Sequence, residues 1–409
     1  MHPSAVEGSR CLAMRSGRLA APASKGRYAA IIGALATGGF VIGLSEFAIM
    51  GLMPNVAHDF HVSEQAVGHL ISAYALGVVV GAPLLAILGG RLRRKTLLMG
   101  LMALYALANL LSALAPTYHW MMAFRFISGL PHGAFFGVAA LVAASVSRAD
   151  RRGAAVARVM MGITLALVIG NPLAVALGQA LSWRYAFVVV AIGALATAAC
   201  LAIALPQTKD ENNTNPLDEL RDFNSAPVWL SLFTGALGFA GMFCVFSYMA
   251  TTMLQVTHVS ERWIPFAIGA FGVGSLLGAQ FGGWMTDRLK QRAIPFSLLG
   301  AIAVLVIYTL AAKSSLLIIP AIVLVGTMGT LVPIMQIHLM DVSRGAQALA
   351  SASNQAAFNV ANALGPWAGG VAVSAGLGWE STGVVGAALA AIALLAWCLS
   401  PRAFKGHVA

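Results

Sequence analysis

The chain has 409 residues, of which 59% are hydrophobic and 10% charged, with a mean hydropathy of +0.82. A soluble domain carries about 25% charged residues, so this composition excludes a soluble globular protein and points to an all-α chain that crosses a bilayer many times. The net charge of +11 would suggest nucleic acid in a soluble protein; here its placement along the chain decides what it means.

Residues 1–27 carry Arg10, Arg15, Arg18, Lys25 and Arg27 and lack an apolar core long enough for a secretory signal. They read as a basic cytoplasmic tail. Twelve apolar segments follow, near 28–54, 66–89, 96–116, 120–146, 154–181, 184–205, 227–255, 263–286, 294–312, 315–339, 347–376 and 378–400. The longest polar interruption, 206–226, is rich in Asn, Asp, Glu and Pro and reads as a solvated linker. It separates two units of six spans, 28–205 and 227–400, and residues 401–409 form a short tail.

With the N-terminus placed in the cytoplasm, twenty-one Lys and Arg residues fall on the cytoplasmic side and three, Arg184, Arg262 and Lys313, outside. The positive-inside rule then puts both termini in the cytoplasm and accounts for the basic balance without nucleic acid. Cys11, Cys200, Cys244 and Cys398 show no paired spacing, and three lie in apolar stretches, so neither a disulfide framework nor a metal site is implied.

The two units repeat. Residues 74–92, YALGVVVGAPLLAILGGRL, match 271–289, FGVGSLLGAQFGGWMTDRL, with Gly77 on Gly274, Gly81 on Gly278 and Arg91 on Arg288. Val146-Ser147-Arg148 matches Val342-Ser343-Arg344, and Ser182-Trp183 matches Gly378-Trp379. A same-direction repeat of six spans implies a pseudo-twofold axis along the membrane normal.

Chemistry concentrates on a few intramembrane polar residues. Glu46 lies about 12 Å inside the first span at roughly 1.5 Å per residue, where an acid is costly and functional by default. In the fourth span, Arg125, Gly129, His132 and Phe136 fall on one helical face. Arg125 lies at a depth comparable to that of Glu46, so the two are expected to pair; separating them would leave an isolated carboxylate that a proton neutralises. His132 is a candidate proton relay, because imidazole is the side chain that changes charge near neutral pH. Gly170-Asn171-Pro172 in the fifth span should kink it. Gln355, Asn359 and Asn362 in the eleventh span share a face that should look onto a cavity or another helix. With Gln336, Tyr248 and Asn171 they are candidate substrate contacts, and Phe135, Phe136, Phe243 and Phe246 candidate aromatic walls. Arg91, Asp287 and Arg288 at the ends of the second and eighth spans are candidate conformational gates, with Gly170 and Pro172.

No GxxxxGK[ST] loop, metal spacing or nucleophile motif is present, so neither an ATP-driven pump nor an enzyme is expected, and no cofactor is called for. A membrane sensor that binds without moving its ligand would normally add a soluble output domain, and the only sizeable loop is 206–226.

The chain resembles the major facilitator superfamily, its drug:proton antiporter branch with twelve spans, and within that the AraJ-like arabinose-efflux-permease group. The resemblance rests on SEFAIMGLMPNVAHDF (45–60), ISAYALGVVVGAPL (71–84, which adds Tyr74 to the cavity candidates), RFISGLPHGAFFG (125–137), MGITLALVIGNP (161–172), LSWRYAF (181–187) and AFNVANALG (357–365). It implies two six-helix bundles around a central cavity and export of a small organic solute or drug in exchange for protons by alternating access. A sugar or nucleoside exporter, or a facilitator without proton coupling, is the alternative. The partners implied are a small-molecule substrate, protons and the lipid of a bacterial inner membrane, with the chain working as a monomer. One departure is notable: the family's acidic residue in the second-to-third loop falls at Gly90, while Asp287 keeps it in the second half.

Overall fold

A computed structural model describes residues 25–89, 92–148, 152–206, 225–343 and 347–399. Residues 1–24 of the first tail, the C-terminal tail, most of the linker and Arg91 lie outside the described residues. The first half is built from α1 (Lys25–Gly51), α2 (Met53–Phe60), α3 (Glu64–Gly89), α4 (Arg94–Ala113), α5 (Tyr118–Ser145), α6 (Arg152–Leu165), α7 (Asn171–Ala180) and α8 (Trp183–Ala204). The second half comprises α9 (Ala226–Gln255), α10 (Ile264–Leu289), α11 (Ala293–Ala311), α12 (Ile318–Gly326), α13 (Leu331–Val342), α14 (Gln347–Ser374) and α15 (Ser381–Leu399). The short α2 extends the first pass. The pairs α6–α7 and α12–α13 are single passes interrupted by a π turn (Ala166–Gly170) and a 3-10 turn (Thr327–Thr330). Among the described residues these make twelve helical passes in two bundles, because in lipid a backbone can satisfy its polar groups within each helix.

The outward faces are apolar. Ile203, Leu310, Leu316 and Leu399 are largely exposed, a liability in water and the expected solvent-facing surface in a bilayer. Ser182 accepts from the Arg184 backbone N–H at the start of α8, and prolines occupy the first turns of α2, α9 and α10, where the missing N–H costs little. Gly376 and Gly378 take φ of 84° and 80° in the turn between α14 and α15, a region that favours glycine.

The internal repeat appears as two equivalent helix crossings. A Cβ on Gly129 of α5 would meet the Tyr74 carbonyl and lie 2.9 Å from the Val78 nitrogen of α3. A Cβ on Gly326 of α12 would meet the Phe271 carbonyl and lie 2.9 Å from the Ser275 nitrogen of α10. Gly77 and Gly274 face them at 3.1 Å by the same measure. Every residue in one crossing is shifted by 197 from its counterpart. Small residues allow this backbone approach, and van der Waals contact drives helix association where lipid removes the hydrophobic drive.

The halves meet toward the end of the bundle remote from the chain termini. There Asn55 donates to Glu261 Oε1 (3.1 Å), Gln179 to the Glu261 carbonyl (3.3 Å), Gln255 to Glu64 Oε1 (3.2 Å), and Ser72 to the Ala363 carbonyl (2.8 Å). Deeper, Gly272 of α10 abuts the Leu167 carbonyl within the π turn, and Gly269 approaches Pro172. Among the described residues, every hydrogen bond between the halves lies at the far end or at mid-depth.

Candidate functional site

The polar residues inside the first half form one continuous network whose direction can be worked out bond by bond. Asn109 of α4 donates Nδ2 to the Tyr105 carbonyl (2.8 Å), so its Oδ1 must face the other way. Ser45 of α1 donates to that Oδ1 (2.6 Å), which turns the serine lone pairs outward. Arg125 Nη1 of α5 donates to Ser45 Oγ (3.1 Å). The guanidinium carbon lies 4.3 Å from the centre of the Tyr74 ring and 5.5 Å from that of Phe187, placements that a cation and an aromatic face favour. Arg125 is fully buried, and its Nε and Nη2 have no hydrogen-bond partner.

A second branch starts at Tyr105, whose hydroxyl donates to the Ile42 carbonyl (3.2 Å). The Tyr74 hydroxyl lies 3.1 Å from the Tyr105 hydroxyl and 3.0 Å from His132 Nδ1. With the Tyr105 proton committed to Ile42, the single Tyr74 proton serves either Tyr105 or His132, and the imidazole tautomer follows from that choice. His132 Nε2 is buried without a partner. The Phe136 ring packs edge-on against the imidazole, 5.3 Å between centres. Arg125, Gly129, His132 and Phe136 therefore share the buried face of α5, with the first three set against α3.

Glu46 is fully buried next to this network but belongs to a different contact. Its Oε1 accepts from Asn362 Nδ2 of α14 at 2.9 Å, across the boundary between the halves. The expected Glu46–Arg125 ion pair is absent: among the described residues no N–O contact within 4.0 Å joins them, although the Arg125 charge acts on Glu46. The physical reason is local. Ser45, one residue earlier on α1, is turned toward α4 and α5 and takes the guanidinium, while Glu46 is directed to the other half. A helix advances about 100° per residue, so neighbours in sequence serve different faces.

Asn359 donates to the Gln355 carbonyl (2.9 Å), and Asn171 donates to the Gly43 carbonyl (3.4 Å), one turn before Glu46. The carbonyl oxygens of Asn171, Asn359 and Asn362 are buried without partners. Gln336 is engaged by Asn354 (2.9 Å), a residue that sequence reasoning did not single out. Gln355 is partly buried.

Several expectations change in this conformation. Tyr248 does not face a cavity. Its hydroxyl donates to the Pro366 carbonyl (2.7 Å), and its ring is wedged among Gly68, Gly369, Gly370 and Trp379 in the sealed far end. Its bulk fits there because three glycines clear the space. Phe243 and Phe246 are packing residues: they join Phe47 of the first half at 6.4 and 6.1 Å, and Phe246 stacks on Phe271 at 3.8 Å. Phe135 is packed against Phe136 and over Gly38. Asp287 and Arg288 are exposed, and neither makes an ion pair with another described residue. Their proposed counterpart Arg91 lies outside the described residues.

The fifth pass is interrupted as its sequence suggests, by a π turn rather than a simple bend. Pro172 cannot donate to the Val168 carbonyl, and the preceding turn widens. Gly170 gives way to the Phe40 ring and Leu44. Ser45, Asn109, Tyr105, Phe47 and Asn354 are the residues sequence reasoning passed over. An intramembrane amide or hydroxyl facing a charged residue was the signal available for the first two.

Comparison with known proteins agrees with this architecture. The model of the Major Facilitator Superfamily matches residues 35–267 and 231–408. The inner membrane transport protein YdhP of Escherichia coli (strain K12) is 38% identical over 370 residues, covering 90% of this chain and 95% of that protein. AraJ of the same organism is 33% identical over 375 residues, 91% and 95% of the two chains. A chloramphenicol resistance protein of Streptomyces lividans is 33% identical over 257 residues, 62% of this chain and 66% of its own. The crystal structure of a bacterial homologue of the human lysosomal transporter Spinster, inward-facing and occupied, superposes with a TM-score of 0.75 at 18% identity, covering 94% and 99% of the two chains. The chain belongs to the major facilitator superfamily, and it is a multi-pass membrane transporter rather than an enzyme.

Proposed function

We propose that this transporter exports a small organic solute or drug in exchange for protons, by alternating access, from the cytoplasm across a bacterial inner membrane. The observation that carries the reading is the Glu46–Asn362 bond. An acid sealed at mid-membrane is the group whose charge a proton can change, and here it is held by the opposite half, so its protonation and the relative position of the halves bear on the same contact. The arginine beside it is anchored separately by Ser45, which leaves Glu46 free to change partner. The loop charges support placing both termini in the cytoplasm, so the sealed far end faces outward. The amide oxygens of Asn359 and Asn362 supply acceptors for a substrate once the halves part. The chloramphenicol resistance of one relative supports an organic solute as cargo. The driving force is adequate: one pH unit is worth about 1.4 kcal/mol per proton, and 100 mV adds about 2.3 kcal/mol per charge moved.

The test is substrate-driven proton movement in proteoliposomes with wild type and Glu46→Gln, screened over sugars, nucleosides and cationic drugs. The expected result is a luminal pH change with wild type and none with the mutant. Substrate flux with no proton movement in either protein would make this a facilitator. Normal coupling in Glu46→Gln would move the proton site elsewhere, with His132 examined first.

A further inference from the structure

The far-end seal contains a second acid that the Glu46 network does not use. Glu64, the first residue of α3, lies just ahead of the apolar run of that pass. Its Oε1 accepts from Gln255 Nε2 of α9 at 3.2 Å, and Gln255 Oε1 in turn accepts from Trp379 Nε1 at 3.0 Å. Gln255 is thus fixed by two bonds of opposite polarity, one within its own half and one across to the first half. Trp379 packs on Tyr248, the wedge of the seal, 5.7 Å between ring centres. The other oxygen of Glu64, Oε2, is buried and has no hydrogen-bond partner.

That asymmetry decides how the contact responds to a proton. An ionised carboxylate needs donors on both oxygens, and burying one of them bare is costly. A protonated Glu64 carries its hydrogen on Oε2 and still accepts from Gln255 at Oε1, with no net charge to bury. The surroundings do not supply the missing donor. A pocket of about 460 Å³ opens at the contact, lined by Glu64 itself with His58, His61 and Gln65 of the first half and by Gln255 and Trp379 of the second, and none of these donates to Oε2. Tyr248 feels the Glu64 charge from α9, and Glu261 is engaged separately by Asn55. Burial pushes the Glu64 carboxyl up to about 7.

We propose that the Glu64–Gln255–Trp379 chain is a proton-sensitive latch on the outer gate, closed when Glu64 is protonated and released when it ionises. It rests on the reading of the halves as rocking bodies and is independent of proton coupling at Glu46. The sign follows from linkage. An acid that is harder to ionise in the sealed state favours that state fully below its ordinary range near 4.5, and the advantage is lost as pH rises through about 7. An acidic exterior therefore keeps the outer gate shut, and an alkaline one lets it open.

The test is a distance measurement between spin labels at His119 and Leu377, one at the far end of each half, in protein whose four cysteines have been replaced, in detergent micelles where both ends see one pH. Between pH 5.5 and 8 the ratio of sealed to open protein should fall by up to about thirtyfold. Glu64→Gln keeps an acceptor and cannot ionise, so it should remain sealed across the range. Gln255→Leu should lower the sealed fraction at pH 5.5. The Glu46→Gln protein should retain the pH response, which separates this latch from the proton site. A flat wild-type profile would overturn the proposal. So would a Glu64→Gln protein that still opens with rising pH, which would assign the response to His58 and His61.

Discussion

Asn362 of α14 donates to Glu46 of α1 at 2.9 Å, and both are buried, so the two halves of this transporter are joined at mid-depth through a carboxylate. The amide presents its nitrogen to Oε1, a contact that Glu46 can accept whether or not it carries a proton. Asn362→Ala removes the donor and leaves Glu46 without it, at a cost of about 1.5–3 kcal/mol for a hydrogen bond to a charged group. The sealed conformation should lose population accordingly, read as a roughly tenfold or greater shift in the spin-label distance distribution. Asn362→Asp should be more disruptive still, because it sets two acids together.

Arg125 and its anchor should separate in their effects. Ser45→Ala strands a buried guanidinium that has no other hydrogen bond, which should destabilise the protein by about 1–3 kcal/mol and lower its melting temperature. Arg125→Met removes the charge together with its need for a partner and fills the space between Tyr74 and Phe187. Buried ionic groups replaced by packed apolar ones are often neutral or stabilising, so Arg125→Met should melt no lower than Ser45→Ala while losing coupled transport. A far lower melting point for Arg125→Met would make the arginine a structural element.

The two glycine crossings give a prediction with an internal control. Gly129→Ala and Gly326→Ala each push a methyl into backbone of the neighbouring helix, which cannot swing aside. Both should sharply reduce the yield of folded protein, and by similar amounts, because the crossings are equivalent under the repeat. Gly100→Ala and Gly283→Ala meet nothing within 4 Å and lie within helices. They should be neutral or stabilise by about 0.5–1 kcal/mol. Thermal stability and yield in detergent decide both comparisons.

The contrast between these cases shows what was legible in the sequence. The passes and the repeat follow from hydropathy and spacing, which act through each helix; that is why the spacing of the repeat alone pairs Gly77 with Gly274. The glycine crossings do not, because the alignment of two repeats does not say which helices meet. The intramembrane position of Glu46 was equally plain. Its partner was not, because depth in the membrane leaves rotation about the helix axis open. Arg125 and Glu46 share a depth, yet Ser45 holds one and Asn362 the other. Tyr248 shows a second limit. An aromatic in an apolar pass can line a cavity or plug it, and which it does depends on the conformation adopted, here one in which glycines 68, 369 and 370 from two different helices close around it.

That closure can be tested by exchanging one bulk for another. A methyl at Gly68 would meet the Tyr248 hydroxyl across the boundary between the halves, with the ring carbon Cζ at 3.2 Å. The hydroxyl has little freedom, being held by the Pro366 carbonyl at 2.7 Å. Gly68→Ala should therefore wedge the far end apart and raise the open population, while leaving the bundle of each half intact. Tyr248→Phe alone loses one hydrogen bond, worth about 1 kcal/mol, and should open the seal only slightly. The double substitution Gly68→Ala with Tyr248→Phe removes the colliding oxygen and should return the distance distribution most of the way to wild type, a favourable coupling between the two sites. Additive opening in the double mutant would mean that the ring rather than the hydroxyl sets the fit, and that the seal tolerates no added carbon at Gly68.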